Sequence, residues 1–376
     1  MADNKIHRGL DGVVVDTTAV SKVVPETNSL TYRGFAVQDL CAHCTFEEVA
    51  FLLWHGELPT KAELAAFKRD ERRRREISKS HIEVIKRFPK KAHPMDTIRT
   101  GVSYLGTEDA AWGMDSPADN LDRAMDMLAK IPTIIATDYR FRKGKKRIAP
   151  KRSLSIAENF FHMCFGKVPA EEVVRAFDIS LILYAEHSFN ASTFTARVVA
   201  SSLSDIYSAV TAGIGSLKGP LHGGANEAVM RTLLEIKRPE NAEPWLRKAF
   251  ADKRLVMGFG HRVYKRGDSR VPTMNQCLAA LSEWAGDDRW QRINAILEGI
   301  MVKEKGIYPN LDFPTGPTYY LMGFDIDLFT PIFVMSRVTG WTAHVLEQLA
   351  HNRLIRPLSS YNGMGQRPVV PLARRG

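Results

Sequence analysis

Gly219-Pro220-Leu221-His222-Gly223-Gly224-Ala225-Asn226 sets one histidine between a Gly-Pro turn and a Gly-Gly pair, just ahead of a helical pattern that starts near Glu227. Glycine frees the backbone for close approach and proline fixes φ, so the stretch reads as a shaped loop and not as a core segment. A histidine at the mouth of a helix is disfavoured as imidazolium by the positive end of the helix dipole. The neutral ring suits hydrogen bonding to a carbonyl oxygen. Apolar residues recur at helical spacing on both sides of this loop, and that periodicity sets the fold class.

Helical patterns cover about 95–105, 118–130, 155–165, 170–187, 193–201, 204–215, 226–237, 271–284, 288–305 and 328–350. Thr45-Phe46-Glu47-Glu48 is a capping-box pattern opening a helix whose Val49, Leu52 and Leu53 face inward, and Thr60-Lys61-Ala62-Glu63 repeats the device. Strand signals are confined to 12–17 and 29–32, joined through a loop holding Pro25 and Asn28. The reading is an all-α fold with a minor N-terminal β-hairpin. The lack of a βαβ alternation excludes the Rossmann and TIM classes. Met257-Gly258-Phe259-Gly260-His261 holds a GxG, but it follows no strand and lacks the third glycine of a dinucleotide fingerprint.

The 376 residues exceed one ordinary core and suggest two domains. An apolar content of 44% with 25% charged residues is that of a globular protein. No run reaches the roughly 18 apolar residues of a membrane span, and the first residues lack the apolar core of a signal peptide. The cytoplasm is therefore expected, with no membrane partner. Cysteines at 41, 44, 164 and 277 are too sparse for a disulfide framework. Cys41-Ala42-His43-Cys44 has no second pair to complete a metal knuckle, so no metal is expected there. The net charge of +10 is concentrated in 68–75 and 140–152. Neither run is interleaved with the aromatics of a nucleic-acid platform. A solvated helix face or loop is the preferred reading, followed by attraction of a polyanionic small molecule.

Loops rich in Gly, Pro or Asn at 187–192, 218–226, 257–272, 306–318 and 354–368 carry the chemistry-bearing residues. They hold His187, His222, His261, Arg270, Asp312 and Arg356, with Arg337 nearby. Three histidines and a carboxylate raise the possibility of a metal-dependent hydrolase. The spacing gives no local ligand pair, however, and three guanidinium forks recognise carboxylates or phosphates while repelling a cation. If the loops converge, such a set binds a polyanionic acid and moves protons.

Three of these segments carry a family resemblance. Residues 219–226, Met257-Gly258-Phe259-Gly260-His261-Arg262 and Pro309-Asn310-Leu311-Asp312-Phe313 resemble the signature segments of the citrate synthase family. The segment 185–193 resembles that family's oxaloacetate-site histidine segment. The likeness extends to Tyr32-Arg33-Gly34, His93-Pro94-Met95-Asp96, 333–337 and 355–357, in order along the whole chain.

The resemblance implies condensation of an acyl-CoA with oxaloacetate followed by thioester hydrolysis, with CoA thioester as cosubstrate and no permanently bound cofactor. It makes Asp312 the general base, His222 the donor to the thioester oxygen and His261 the donor to the oxaloacetate ketone. His187, Arg270 and Arg337 match oxaloacetate ligands, and Phe333 matches an aromatic wall of the site. Arg356 matches a ligand given across a homodimer interface. CoA contacts are expected at Gly258, Gly260 and Asn310, with Lys303 and Lys305 as phosphate neighbours. Asn310 also reads as a plain turn residue. The implied domains are 1–223 with 324–376 (large) and 224–323 (small). After Phe313 the chain reads Pro314-Thr315-Gly316-Pro317-Thr318-Tyr319-Tyr320, where many family members have Tyr-Ser-Gly followed by small or branched residues. This segment and residues 12–18 look more like the 2-methylcitrate synthases, which use propionyl-CoA.

Overall fold

The computed structural model describes residues 6–24, 26–110, 113, 115–264 and 266–375. The fold is all-α. Its helices are α1 (Val37–His43), α2 (Phe46–His55), α3 (Lys61–Arg74), α4 (Lys79–Arg87), α5 (Pro94–Thr107), α6 (Pro117–Arg142), α7 (Ile156–Phe165) and α8 (Glu171–Tyr184). They continue as α9 (Ala191–Ser201), α10 (Ile206–Leu217), α11 (Ala225–Ile236), α12 (Ala242–Ala251), α13 (Val271–Ala285), α14 (Arg289–Lys305), α15 (Asp312–Leu321) and α16 (Phe329–Ala350). Every helical pattern read from the sequence is a helix here. The Thr45 capping box forms, with Glu48 accepting from the Thr45 N–H at 2.8 Å, and α2 buries Val49, Leu52 and Leu53 completely.

Helix α16 is the organising rod. It is buried without interruption from Phe329 to Val345 and packs against α2, α6, α8, α9 and α10. A helix that is apolar all round belongs in a core, and this one carries Arg337 into the centre of the molecule. Among the described residues no helix is long and apolar enough to cross a membrane. Helices α11 to α15 pack mainly on one another, with α11 also touching α16 and α13 touching α8.

Two expectations fail. The hairpin does not use 12–17. It is a three-stranded antiparallel meander of β1 (Ser21–Val24), β2 (Ser29–Tyr32) and β3 (Phe35–Ala36), with Val23 opposite Leu30. Of the valines of 12–17, Val13 is half-buried while Val15 is 45% and Val14 89% exposed. Only Asn28 of the expected turn can be placed, at φ 48°, because Pro25 lies outside the described residues. The second miss is 312–318, which reads as loop because of its two prolines but forms most of α15. Pro314 sits in the first turn, where backbone N–H groups have no helical partner in any case. Pro317 removes the bond to the Phe313 carbonyl, and Asn294 Nδ2 occupies that oxygen instead at 3.3 Å.

The two basic runs are held largely by the chain itself. Arg74 pairs with Asp70, Asp122 and Asp126, tying α3 to α6, while Arg75 is buried against Glu71. Arg142 pairs with Asp138 and Arg147 with Glu76. The solvated-face reading therefore fails for Arg75, whose guanidinium is part of the core. Cys41 and Cys44, at the end of α1, are buried.

His81 on α4 is fully buried beside Tyr104, and neither ring nitrogen has a hydrogen-bond partner among the described residues. Burial pushes its pKa down to about 4, with Lys130 adding to the fall against Glu108. Because the folded value lies below the unfolded value of about 6.5, the stability at stake is fully present above pH 6.5 and is lost as pH falls toward 4. Thermal unfolding of wild type and His81→Leu between pH 7 and 4.5 should differ in slope. The relative loss in wild type is expected to be about 2 kcal/mol by pH 5. Parallel curves would remove His81 as the cause.

Candidate active site

The loops identified from the sequence converge on one cleft of about 1040 Å³. His187, His222, His261, Arg270, Asp312, Phe333, Arg337, Gly258, Gly260 and Asn310 all line it. Lys303, Lys305 and Arg356 do not. Lys303 is exposed on α14, and Lys305 lies over the Phe250 ring at 4.5 Å in a neighbouring hollow of about 350 Å³. That hollow shares Leu255, Val256 and Phe259 with the cleft wall. Arg356 is exposed, beyond the end of α16.

Local geometry brings the loops together. Chain 257–261 is stitched to 308–310 by Asn310 N–H to the Gly258 carbonyl (2.9 Å) and Gly260 N–H to the Tyr308 carbonyl (2.8 Å). Gly258 is obligatory, since φ is 86° and a Cβ would lie 2.6 Å from Val229. The side chain of Asn310 is used within the chain: Nδ2 donates to the Gly260 carbonyl at 3.0 Å and Oδ1 accepts from the Asp312 N–H at 3.2 Å. Its turn reading thus accounts for both ends of the amide.

His222 is met by α9. The Ser192 N–H, in the first turn of that helix, donates to Nε2 at 3.3 Å, and the Ser192 hydroxyl lies 2.8 Å from the same nitrogen. A backbone N–H can only donate, so Nε2 is the acceptor and Nδ1 carries the proton. Burial, then the Arg337 charge, lowers the His222 pKa to about 3. The expectation of a neutral imidazole thus holds, but the helix end that touches the ring is that of α9, not the one following the loop. Gly223 is needed for packing: its N–H donates to the Leu217 carbonyl at 3.0 Å, and a Cβ would lie 2.6 Å from that oxygen.

His261 accepts the Val263 and Tyr264 N–H groups on Nδ1 at 3.0 and 3.1 Å, so a neutral ring carries its proton on Nε2. Its ring centroid lies 5.1 Å from that of His187. His187 is held well below its ordinary pKa by burial and then by Arg270, and its buried Nε2 has no hydrogen-bond partner among the described residues.

Arg270 is clamped by Asp268 through Nε to Oδ1 (2.9 Å) and Nη2 to Oδ2 (2.7 Å), and Asp268 also takes the Leu311 N–H at 3.1 Å. Arg337 donates from Nε to the Tyr184 carbonyl at 2.6 Å and lies over the Phe333 ring, with buried Nη1 unpartnered. Burial lowers Arg337 to about 10, so it stays protonated at neutral pH. Asp312 starts α15 and accepts the Tyr184 hydroxyl at 2.6 Å. Burial raises its pKa to about 6, opposed by the Tyr184 bond and the two arginines.

Tyr184, Asp268 and Ser192 were missed from the sequence. Tyr184 ends an apolar helix and reads as core, while Asp268 offers only a carboxylate two residues before Arg270. Ser192 stands in a quoted segment without a distinguishing signal. Behind this set, His344 is fully buried between Glu186 (2.9 Å) and Arg197 (3.1 Å).

The cleft thus offers three imidazoles, two buried cations and a carboxyl group pushed up to about 6 by burial. A profile of the citrate synthase C-terminal domain matches residues 9–358. The chain belongs to the citrate synthase family. It is 60% identical over 366 residues to the 2-methylcitrate synthase of Mycobacterium tuberculosis H37Rv, covering 97% of this chain and 92% of that one. It is 59% identical to the citrate synthase of Mycolicibacterium smegmatis, covering 97% of each. Among solved structures, the ternary complex of carboxymethyl coenzyme A and oxaloacetate with the citrate synthase of Thermoplasma acidophilum superposes with a TM-score of 0.93. That pair is 34% identical, covering 99% of this chain and 100% of that one.

Removing the Tyr184 hydroxyl should raise the Asp312 carboxyl further, because the bond favours the ionised form. Infrared difference titration of the Asp312 carboxyl is expected to show a pKa above 6 in Tyr184→Phe. An unchanged or lower value would mean that the hydroxyl does not stabilise the carboxylate.

Proposed function

We propose that the cleft condenses propionyl-CoA with oxaloacetate and hydrolyses the resulting thioester, releasing CoA and 2-methylcitrate, with acetyl-CoA as a second substrate. The observation that carries this reading is the pairing of a carboxyl group near pKa 6 with a neutral histidine whose proton is on Nδ1, in one cleft with two buried arginines. The name 2-methylcitrate synthase on relatives at 60% and 53% identity supports the acyl preference.

In this reading Asp312 removes a proton from the carbon beside the thioester carbonyl, and a pKa near 6 suits a base working at neutral pH. His222 donates Nδ1–H to the thioester oxygen, stabilising the enolate where its charge develops. The enolate carbon attacks the ketone carbon of oxaloacetate, whose oxygen takes a hydrogen bond from His261 Nε2. Arg270, Arg337 and His187 hold the oxaloacetate carboxylates, with Phe333 as the wall. Water then cleaves the thioester. Gly258 and Gly260 offer backbone groups to CoA beside Asn310, while Lys305 attracts its phosphates from the adjoining hollow and Lys303 from the exposed side of α14.

The working unit in this proposal is a cytoplasmic homodimer acting in propionate catabolism, with Arg356 of each copy reaching the other's oxaloacetate. The tail it leads exposes Leu358, Tyr361, Val369 and Leu372 by 77–86%, apolar surface suited to burial against a second copy. Residues 224–323 form the small domain, which closes over oxaloacetate against 1–223 and 324–376 and excludes water until condensation is complete.

The second reading is citrate synthase with acetyl-CoA as main substrate, favoured by the name of the Mycolicibacterium relative. One methylene in an apolar pocket is worth only about 1–3 kcal/mol, so both activities are expected in either case. Thiol release with oxaloacetate should give a higher kcat/KM for propionyl-CoA, by about 10-fold or more. A ratio below one assigns the citrate reading. Asp312→Asn should lower kcat by about 100- to 10,000-fold, and near-normal turnover would sink its role as base. Co-expressed Arg356→Ala and Asp312→Asn chains should regain activity in the hybrid, which holds one intact site. No gain over the two parent dimers would end the shared-site proposal.

A further inference from the structure

The segment His93-Pro94-Met95-Asp96 takes no part in the chemistry above, yet it touches both ends of the loop that carries His222. At the entry, Lys218 Nζ donates to both oxygens of Asp96 at 2.7 and 2.8 Å. At the exit, Glu227 in the first turn of α11 faces His93 Nε2 at 3.3 Å. His93 caps α5 by accepting the Met95 N–H on Nδ1 at 3.2 Å, so its remaining proton is on Nε2 and points at Glu227. The other oxygen of Glu227 accepts the Thr330 hydroxyl, which also lies 3.5 Å from the Gly223 carbonyl. Arg231 bridges Glu227 and Asp327 at 3.4 and 2.6 Å, placing a guanidinium among these groups where a bound cation would otherwise be considered.

The loop itself is compact. His222 N–H donates to the Gly219 carbonyl at 2.9 Å, and Gly223 is pressed against Leu217. In a loop this tight, the way its two ends are held sets where the His222 ring stands relative to Ser192 and Asp312. We infer that the first turn of α5 is the platform that orients the His222 loop, with Asp96 and His93 as positioning residues for the thioester-binding histidine. They act through Lys218 and Glu227 and touch no reacting atom. This rests on His222 being the donor to the thioester oxygen.

The groups proposed to hold oxaloacetate are attached to other elements: His187 after α8, His261 in the 257–261 loop, Arg270 before α13 and Arg337 on α16. Loosening the platform should therefore lower kcat and leave the KM for oxaloacetate nearly unchanged. Misplacing a catalytic group by about 1 Å can cost of order 100-fold, so Asp96→Asn and Lys218→Met are each expected to lower kcat about 10- to 100-fold. The double variant should be little worse than either single one, because both break the same contact. Asp96→Glu and Lys218→Arg keep the charge pair and should recover most of the rate, as should His93→Gln relative to His93→Ala. A KM for oxaloacetate that rises in step with the loss of kcat, additive losses in the double variant, or unchanged kcat would each overturn the inference. Wild-type protein that releases no CoA with either acyl-CoA would instead refute the proposed function.

Discussion

Two guanidinium groups lie buried in the floor of one cleft, and among the described residues only Arg270 has a carboxylate beside its fork. Taking a cation out of water is costly unless partners replace the lost hydration. Asp268 does this for Arg270 with two parallel bonds. Arg337 has a backbone carbonyl on Nε, the face of Phe333, and the more distant charge of Glu186, while its Nη1 stays unpartnered. The floor therefore concentrates two buried positive charges in one cleft. The same positive field acts on the neighbouring imidazoles. Arg270 and Arg337 join burial in keeping His187 neutral, and Arg337 does so for His222.

The rest of the structure works to keep these groups in register. Asp268 is bonded both to Arg270 and to the Leu311 N–H, so the residue that anchors the cation also sets the turn into Asp312. Tyr184 links two groups in a similar way: its carbonyl holds Arg337 and its hydroxyl holds Asp312. Behind His187, Glu186 is bonded to Ser21 and His344, and Arg197 joins His344 to Glu347. The N-terminal segment is drawn into this web through Asp16 and Ala19. That accounts for why 12–17 runs alongside the site and not in the sheet.

Elements with a local cause were legible. Helices with a capping residue at one end and an apolar stripe along one face appeared where expected. The opposite case is α15, where a Pro-x-x-Pro spacing argues for a loop until Asn294 is seen to satisfy the carbonyl that Pro317 abandons. The site residues were legible for a different reason. Histidine, arginine and aspartate beside glycine and proline stand out in any reading, and their resemblance to a known family supplied roles to test. Tyr184 and Ser192 lacked such contrast, since they act through hydrogen bonds to partners 30 or more residues away.

By itself, the sequence determined the helical class, most of the helices and the residue types that would carry the chemistry, because periodicity, capping and side-chain charge are local properties. Only the tertiary structure decided that these loops share one cleft, that the His222 ring is bonded by the start of α9, and that burial pushes the Asp312 carboxyl up to about 6. Lys303, Lys305 and Arg356 lie outside the cleft for the same kind of reason. Proximity and burial depend on how distant segments pack, and no local pattern encodes the loss of water around a buried charge.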